Sequence, residues 1–499
     1  MSLIEVRDLT FAYDGSYDNI FDSVNFQIDT NWKLGFTGRN GRGKTTFLNL
    51  LLGRYPYTGS IVSTVDFEYF PYSLPNDMLP VLEALSSVAP EAEDWQIMRE
   101  LSLLEVPEDA LDRPFHTLSQ GERTKALLAA LFLRENSFLL IDEPTNHLDI
   151  QGRKTLAQYL KRKRGFLLVS HDRAFLDRCI DHILVINRAN IEVQRGNFSS
   201  WWENRQRQDR FELAQQEKLQ KDIVRLKHSA DTRKQKADAV ERAKYSAGKK
   251  DGGLGILRPY LGEKSRKGQQ QRLNLERRMD QAIHDKTQLL KNLEKQESLS
   301  LSPLQFHSSR LLEVADVSIS YQGIPICSDL RFSVEQGDRI ALVGKNGCGK
   351  SSLLKLIYGE PVPHSGELRK NDRLIISYVS QTTADMKGTL TEYARDWGID
   401  ESLFKTILRK LDFSRPQLEK NICEFSQGQK KKVMIARSLC QKAHLYLWDE
   451  PLNFIDVISR MQIEQLLLES QPTILFVEHD LAFVEKVSTK TVELHRQKL

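Results

Sequence analysis

A chain of 499 residues with 40% hydrophobic and 28% charged positions is an ordinary globular mixture, long enough for two to four domains, and no run approaches the roughly 18 apolar residues of a membrane span. The net charge of +4 conceals an asymmetry: residues 201–300 hold 24 Lys and Arg against 15 Asp and Glu, a net of +9, while the rest of the chain is net acidic. Five scattered cysteines without a CxxC pair argue against a disulfide framework or a zinc site, and a start without a basic-then-apolar leader makes a cytoplasmic protein the expectation.

In chain order, the first predicted element is the β-branched segment LIEVRDLTFAY at 3–13, which recurs as LLEVADVSISY at 311–321. Later matches keep an offset of 306 to 308, so the chain is a duplication. Each half alternates apolar runs such as FLLID with amphipathic stretches, the pattern of an α/β fold with a mostly parallel sheet and packed helices.

GRNGRGKT at 38–45 and GKNGCGKS at 344–351 follow apolar segments and satisfy the P-loop pattern. Gly38, Gly41 and Gly43, with Gly344, Gly347 and Gly349, let the backbone wrap phosphates around Asn40 and Asn346. Successive N–H groups and a helix N-terminus then face the anion. Lys44 and Lys350 supply point charges, Thr45 and Ser351 a hydroxyl for Mg²⁺, and Thr46 and Ser352 complete the nucleotide set.

Next come SFLLIDEPTNHLD at 137–149 and LYLWDEPLNFID at 445–456. Each places an Asp-Glu pair directly after an apolar strand. Asp142 and Asp449 suit the metal side; Glu143 and Glu450 suit polarisation of a water as general base, because the pleat should aim neighbours in different directions. His171 and His479 end a further apolar strand in each half, where an imidazole reaches a γ-phosphate.

Between the halves, residues 203–246 and 266–300 are rich in Gln, Lys, Arg, Glu, Leu and Ala, with no proline, a helical composition. Glycines and Pro259 interrupt it at 247–262, predicting a hairpin whose arms, at about 1.5 Å per residue, reach roughly 50 to 65 Å. The expected division is 1–202, a linker over 203–306, and 307–499.

With LSQGE at 118–122 and FSQGQ at 425–429 added, the sequence resembles the ATP-binding cassette superfamily. That resemblance implies ATP and Mg²⁺ as cofactors, Tyr13 and Tyr321 against adenine, and Gln381 at the metal. It also implies cassettes closing head to tail within one monomer, pairing Lys44, Asp142 and Glu143 with Ser426 and Gly428, and Lys350, Asp449 and Glu450 with Ser119 and Gly121.

Paired cassettes around a basic hairpin, with no membrane segment, are similar to the ABC-F subfamily of ribosome-associated ATPases. The resemblance implies a 70S ribosome partner, with the linker in the tRNA exit site near 23S rRNA and tRNA, and no membrane or DNA partner. Leu254, Ile256, Leu257, Arg258 and Tyr260 form an apolar and basic tip that wants a partner surface. Spacings of 75 and 76 residues from P-loop lysine to signature serine leave no room for an inserted arm, which is most similar to the Lsa-type antibiotic-resistance members. A housekeeping translation factor of the same subfamily, the ATPase subunit of a transporter and a DNA-repair or chromosome ATPase are the alternatives. One departure stands out: Tyr72 occupies the position of Gln381, so the two sites are expected to be unequal.

Overall fold

The computed structural model describes residues 2–13, 19–146, 148–186, 191–208, 301–321, 324–384 and 386–495, with isolated positions 210, 211, 214, 215, 221, 225, 232, 270, 274, 277 and 299. One compact unit comprises Met1–Ser199 with Gln296–Leu499, and a second comprises Ser200–Lys295. Residues 198–208 are helical. The tip residues Leu254, Ile256, Leu257, Arg258 and Tyr260, and His147 of the PTNHLD motif, lie outside the described residues.

In the first half, β1 (Leu3–Phe11), β2 (Phe21–Asp29), β3 (Lys33–Thr37), β4 (Thr58–Val62), β5 (Asp66–Phe70), β6 (Ser137–Asp142), β7 (Phe166–Val169), β8 (His182–Ile186) and β9 (Ile191–Arg195) form two sheets. The larger runs β5-β6-β7-β3-β8-β9 and is parallel except for the last pair. The smaller, β2-β1-β4, is antiparallel. Its buried residues Ile4, Val6, Leu9 and Phe11 share one core with Leu34, Phe36, Leu140 and Leu167 of the parallel sheet. Burial alternates along LIEVRDLTF on either side of a register shift between Val6 and Leu9, as one covered face of such a sheet requires.

The second half repeats this plan with β10 (Arg310–Tyr321), β11 (Ile324–Glu335), β12 (Arg339–Val343), β13 (His364–Lys370), β14 (Ile376–Val379), β15 (Leu445–Asp449), β16 (Ile474–Val477) and β17 (Lys490–Glu493). The sheets run β11-β10-β13 and β14-β15-β16-β12-β17. The run LYLW ahead of Asp449 is apolar because both faces are covered: Leu445 and Leu447 enter one core and Tyr446 and Trp448 the other. Burial of side chains this size stabilises by about 1.5–3 kcal/mol each. Residues assigned to the linker by composition also join this half. Leu299 lies in its core, and the Leu304 amide donates to the Ala443 carbonyl at 2.9 Å.

In the order β6-β7-β3 the three motif-bearing strands are adjacent. Their C-terminal ends, where α/β folds place ligands, therefore deliver the P-loop, the Asp-Glu pair and the histidine to one edge of the sheet.

Candidate functional site

Each P-loop wraps into a helix, Lys44–Leu51 or Lys350–Tyr358, with Gly43 or Gly349 as N-cap at φ 93 and no side-chain cap. The first-turn amides are thus left to face an anion. A Cβ on Gly43 would lie 2.5 Å from Ile20 Cγ2, so both the left-handed backbone and the space demand glycine. Lys44 Nζ donates to the Gly38 and Arg39 carbonyls at 2.6 and 3.2 Å, and Lys350 Nζ to those of Gly344 and Lys345 at 2.9 and 3.0 Å. Burial pulls the Lys44 ammonium below its ordinary range, opposed by Asp456, Glu143 and Asp142.

The signature serines are helix N-caps. Ser119 Oγ accepts from the Glu122 amide and Ser426 Oγ from the Gln429 amide, each at 3.3 Å, while Glu122 and Gln429 accept from the two serine amides. These are capping boxes, and a glutamine closes one as a glutamate does. Gln429 in place of an acid thus changes charge and keeps the geometry.

The two halves meet head to tail. One cleft of about 560 Å³ is lined by Tyr13, Asn40, Gly41, Gly43, Lys44, Thr45, Thr46, Asp142, Glu143 and His171 from the first half with Ser426 and Gly428 from the second. The other, about 840 Å³, is lined by Asn346, Gly347, Gly349, Lys350, Ser351, Ser352, Gln381, Glu450 and His479 with Ser119 and Gly121. Gly38, Gly344, Tyr321 and Asp449 do not line them. Asp449 sits behind the second cleft, accepting from Ser351 Oγ at 3.1 Å. Tyr13 Oη and Thr46 Oγ1 are 2.7 Å apart, and Tyr321 Oη donates to Ser352 Oγ at 3.2 Å. The first cleft is the tighter: Asn40 Nδ2 donates to the Phe454 carbonyl at 2.9 Å, and a Cβ on Gly428 would lie 3.0 Å from Asn40 Nδ2.

The pleat does not separate the paired carboxylates, contrary to the sequence expectation. β6 and β15 end on Asp142 and Asp449, and Glu143 and Glu450 leave the strand at φ 50 and 47. A left-handed non-glycine residue is strained by about 1–3 kcal/mol, and that turn aims each glutamate at a histidine. His171 Nε2 lies 3.5 Å from Glu143 Oε1 and His479 Nε2 3.3 Å from Glu450 Oε1.

Strand pairing sets Phe70 beside Ile141 and Val379 beside Trp448, which puts Tyr72 at the position of Gln381. Gln381 Nε2 donates to Glu450 Oε2 at 2.9 Å and Asn453 Nδ2 to the same oxygen at 2.6 Å. Buried Glu143 Oε1 has no hydrogen-bond partner. Burial and the neighbouring Asp142 push the Glu143 carboxyl up to about 8. Burial also works against the Glu450 charge, but His479, Gln381 and Lys431 outweigh it and bring that carboxyl down to about 2. Burial moves His171 well below its ordinary range, so its imidazole is neutral. The second glutamate is thus held as an ionised base, while burial and Asp142 make the first a weaker one. Glu450→Gln alone is expected to cost at least ~10-fold more turnover than Glu143→Gln alone. Equal phosphate-release rates for the two single variants would refute that inequality.

A divalent cation fits the donors present. Thr45 with Asp142, and Ser351 with Asp449, are hydroxyl–carboxylate pairs, and buried Asp449 Oδ2 lacks a partner. Hard oxygen donors of this kind suit Mg²⁺, which keeps waters and takes one or two carboxylates with substrate phosphates. Among the described residues no cluster of three or more His, Cys, Asp or Glu could hold a metal. Bound there, the ion supplies charge neutralisation at the phosphates. Tyr69 Oη donates to Asp142 Oδ2 at 3.2 Å, which makes the first metal side different again. Sequence reasoning missed Asn453 and Lys431. Only the recurrence of Asn146 as Asn453 within the two DEP motifs was a visible signal.

Comparison with known proteins agrees with the duplication. The family model described as ABC transporter matches residues 21–146 and 327–453. The ribosome protection protein VmlR of Bacillus subtilis is 28% identical over 97% of this chain and 86% of its own length. ABC transporter F family member 2 of Arabidopsis thaliana is 25% identical over 98% and 76%. An archaeal ribosome recycling factor, aABCE1, solved with the ribosomal stalk protein aP1, superposes with a TM-score of 0.64 at 21% identity, covering 97% of this chain and 87% of that one. At that identity the likeness is one of fold. No helix among the described residues is long and apolar enough to cross a membrane.

Proposed function

Because the chain belongs to the ABC transporter family and is an ATPase with ABC-F relatives, we propose that it engages the 70S ribosome at the tRNA exit site and protects the peptidyl-transferase centre from lincosamides, pleuromutilins and streptogramin A. Glu143 and Glu450 act as the water-polarising carboxylates. Thr45, Asp142, Ser351, Asp449 and Gln381 form the metal sides, and ATP hydrolysis releases the protein. The observation that carries this reading is the similarity, over 97% of the chain, to a protein named for ribosome protection. The net +9 of residues 201–300 supports it physically, since neutralised phosphates release counterions and give salt-dependent RNA affinity.

Leu257→Ala with Tyr260→Ala is the test. Loss of aromatic stacking on a base costs about 1–3 kcal/mol, so the variant is expected to forfeit drug protection in cells while ATPase activity and thermal stability stay near wild type. Protection that survives both substitutions, or that fails only because the protein unfolds, would put the mechanism elsewhere. The F-family relatives support a second reading, a translation factor that relieves stalled ribosomes. That role predicts a growth defect without drug when the gene is deleted.

A further inference from the structure

Lys431 lies in the helix Gln427–Cys440 and is 2% exposed. Its Nζ donates to the carbonyls of Ser380 and Glu450, each at 3.1 Å. Ser380 precedes Gln381, whose amide bonds the Glu450 carboxylate at 2.9 Å. One ammonium therefore holds the main chain on both sides of the amide–carboxylate contact. Burial works against its charge, and Asp449, Glu478 and Glu450 support it. The Glu450 main chain is the left-handed one, at φ 47, a conformation that persists only where its surroundings over-determine it. Lys431 adds one contact at the carbonyl, beyond whatever gives Glu143 the same turn at φ 50.

The first half has no counterpart. The signature offset of 307 puts Thr124 at the position of Lys431, just as Tyr72 stands at that of Gln381. Lysine and glutamine occur together in one half and are both absent from the other, where buried Glu143 Oε1 has no hydrogen-bond partner. We propose that Lys431 is a positioning residue of the second site, fixing Gln381 and Glu450 in register for attack by water, so that turnover is concentrated there. This rests on Glu450 being the water-polarising carboxylate.

The experiment isolates the second site in the full-length chain by carrying Glu143→Gln as background. Within it, Lys431→Thr, the residue of the first half, is expected to lower kcat roughly 10²-fold, the scale of a misplaced reacting geometry, with KM for ATP within about twofold. Lys431→Arg, which keeps the charge and the donors, is expected to recover at least a tenth of the background kcat. Unchanged kcat in Lys431→Thr overturns the proposal. So does a loss in which KM rises or the melting transition collapses, or in which Arg rescues nothing, since a packing role alone predicts those. Turnover that persists in Glu143→Gln with Glu450→Gln, where Lys431 is intact, defeats the Glu450 assignment itself, an outcome separable from failure of Lys431.

Discussion

Glu143→Gln combined with Glu450→Gln is expected to lower steady-state ATP hydrolysis by about 10²–10⁴-fold, the usual contribution of a general base, while ATP binding persists. An amide keeps the size of the carboxylate and an oxygen for the Gln381 and Asn453 donors at 2.9 and 2.6 Å, but it cannot take a proton from water. Lysines, P-loop amides and signature caps are untouched, so the clefts still close on nucleotide. Phosphate release in steady state, with retained ATP measured after gel filtration, reads both halves of the expectation. Turnover near wild type would sink the assignment of both glutamates.

The second large effect is on stability. Lys432 Nζ lies 2.7 Å from Asp456 Oδ2, with side-chain exposures of 6% and 1%, and also donates to the Leu411 carbonyl at 2.9 Å. Asp456 accepts from the Ser459 amide and hydroxyl, both at 2.9 Å. Burial works against the Asp456 charge, but Lys432 and Ser459 hold its carboxyl well below the usual range. Lys432→Met leaves a buried carboxylate without its counter-ion, a change that costs about 3–5 kcal/mol. The sign with pH follows from linkage. In the wild type the folded-state value lies below the unfolded one of about 3.9, so the contribution is full above it and is lost as pH falls through the folded value. In Lys432→Met the folded value rises above the unfolded one, so protonation on acidification relieves the penalty. Denaturant titrations of both proteins at pH 7 and near pH 5 should show the gap narrowing toward acid. A gap under ~1 kcal/mol at pH 7, the level of an exposed pair, would show that the contact is not a buried ion pair in solution.

Local spacing alone makes much of this molecule legible. The P-loops are readable because glycines with left-handed φ at Gly41, Gly43, Gly347 and Gly349 must stand at fixed intervals ahead of a helix. The duplication is readable because the same intervals recur. The antiparallel sheets around β1 and β10 went unpredicted: alternation in LIEVRDLTF signals a repeat, while which strands it pairs with is a matter of tertiary contact. The turn at Glu143 and Glu450 is hidden for a different reason, since glutamate carries no local preference for φ near 50 and the surroundings impose it. Lys431 reads as one charge in a run of three, KKK. Its role depends on Ser380, 51 positions earlier in the chain. Asp456 looks like the end of a motif, yet its carboxylate supports the charge of Lys44 in the other half.

Ribosome engagement is the central claim, and co-sedimentation of the ATP-bound Glu143→Gln, Glu450→Gln protein with a cell lysate tests it most directly. The protein is expected to travel with 70S particles in ATP, to leave them as salt rises in the manner of phosphate contacts, and to bind less in ADP. Migration with membranes, or as free protein under the same ATP-trapping conditions, would contradict it.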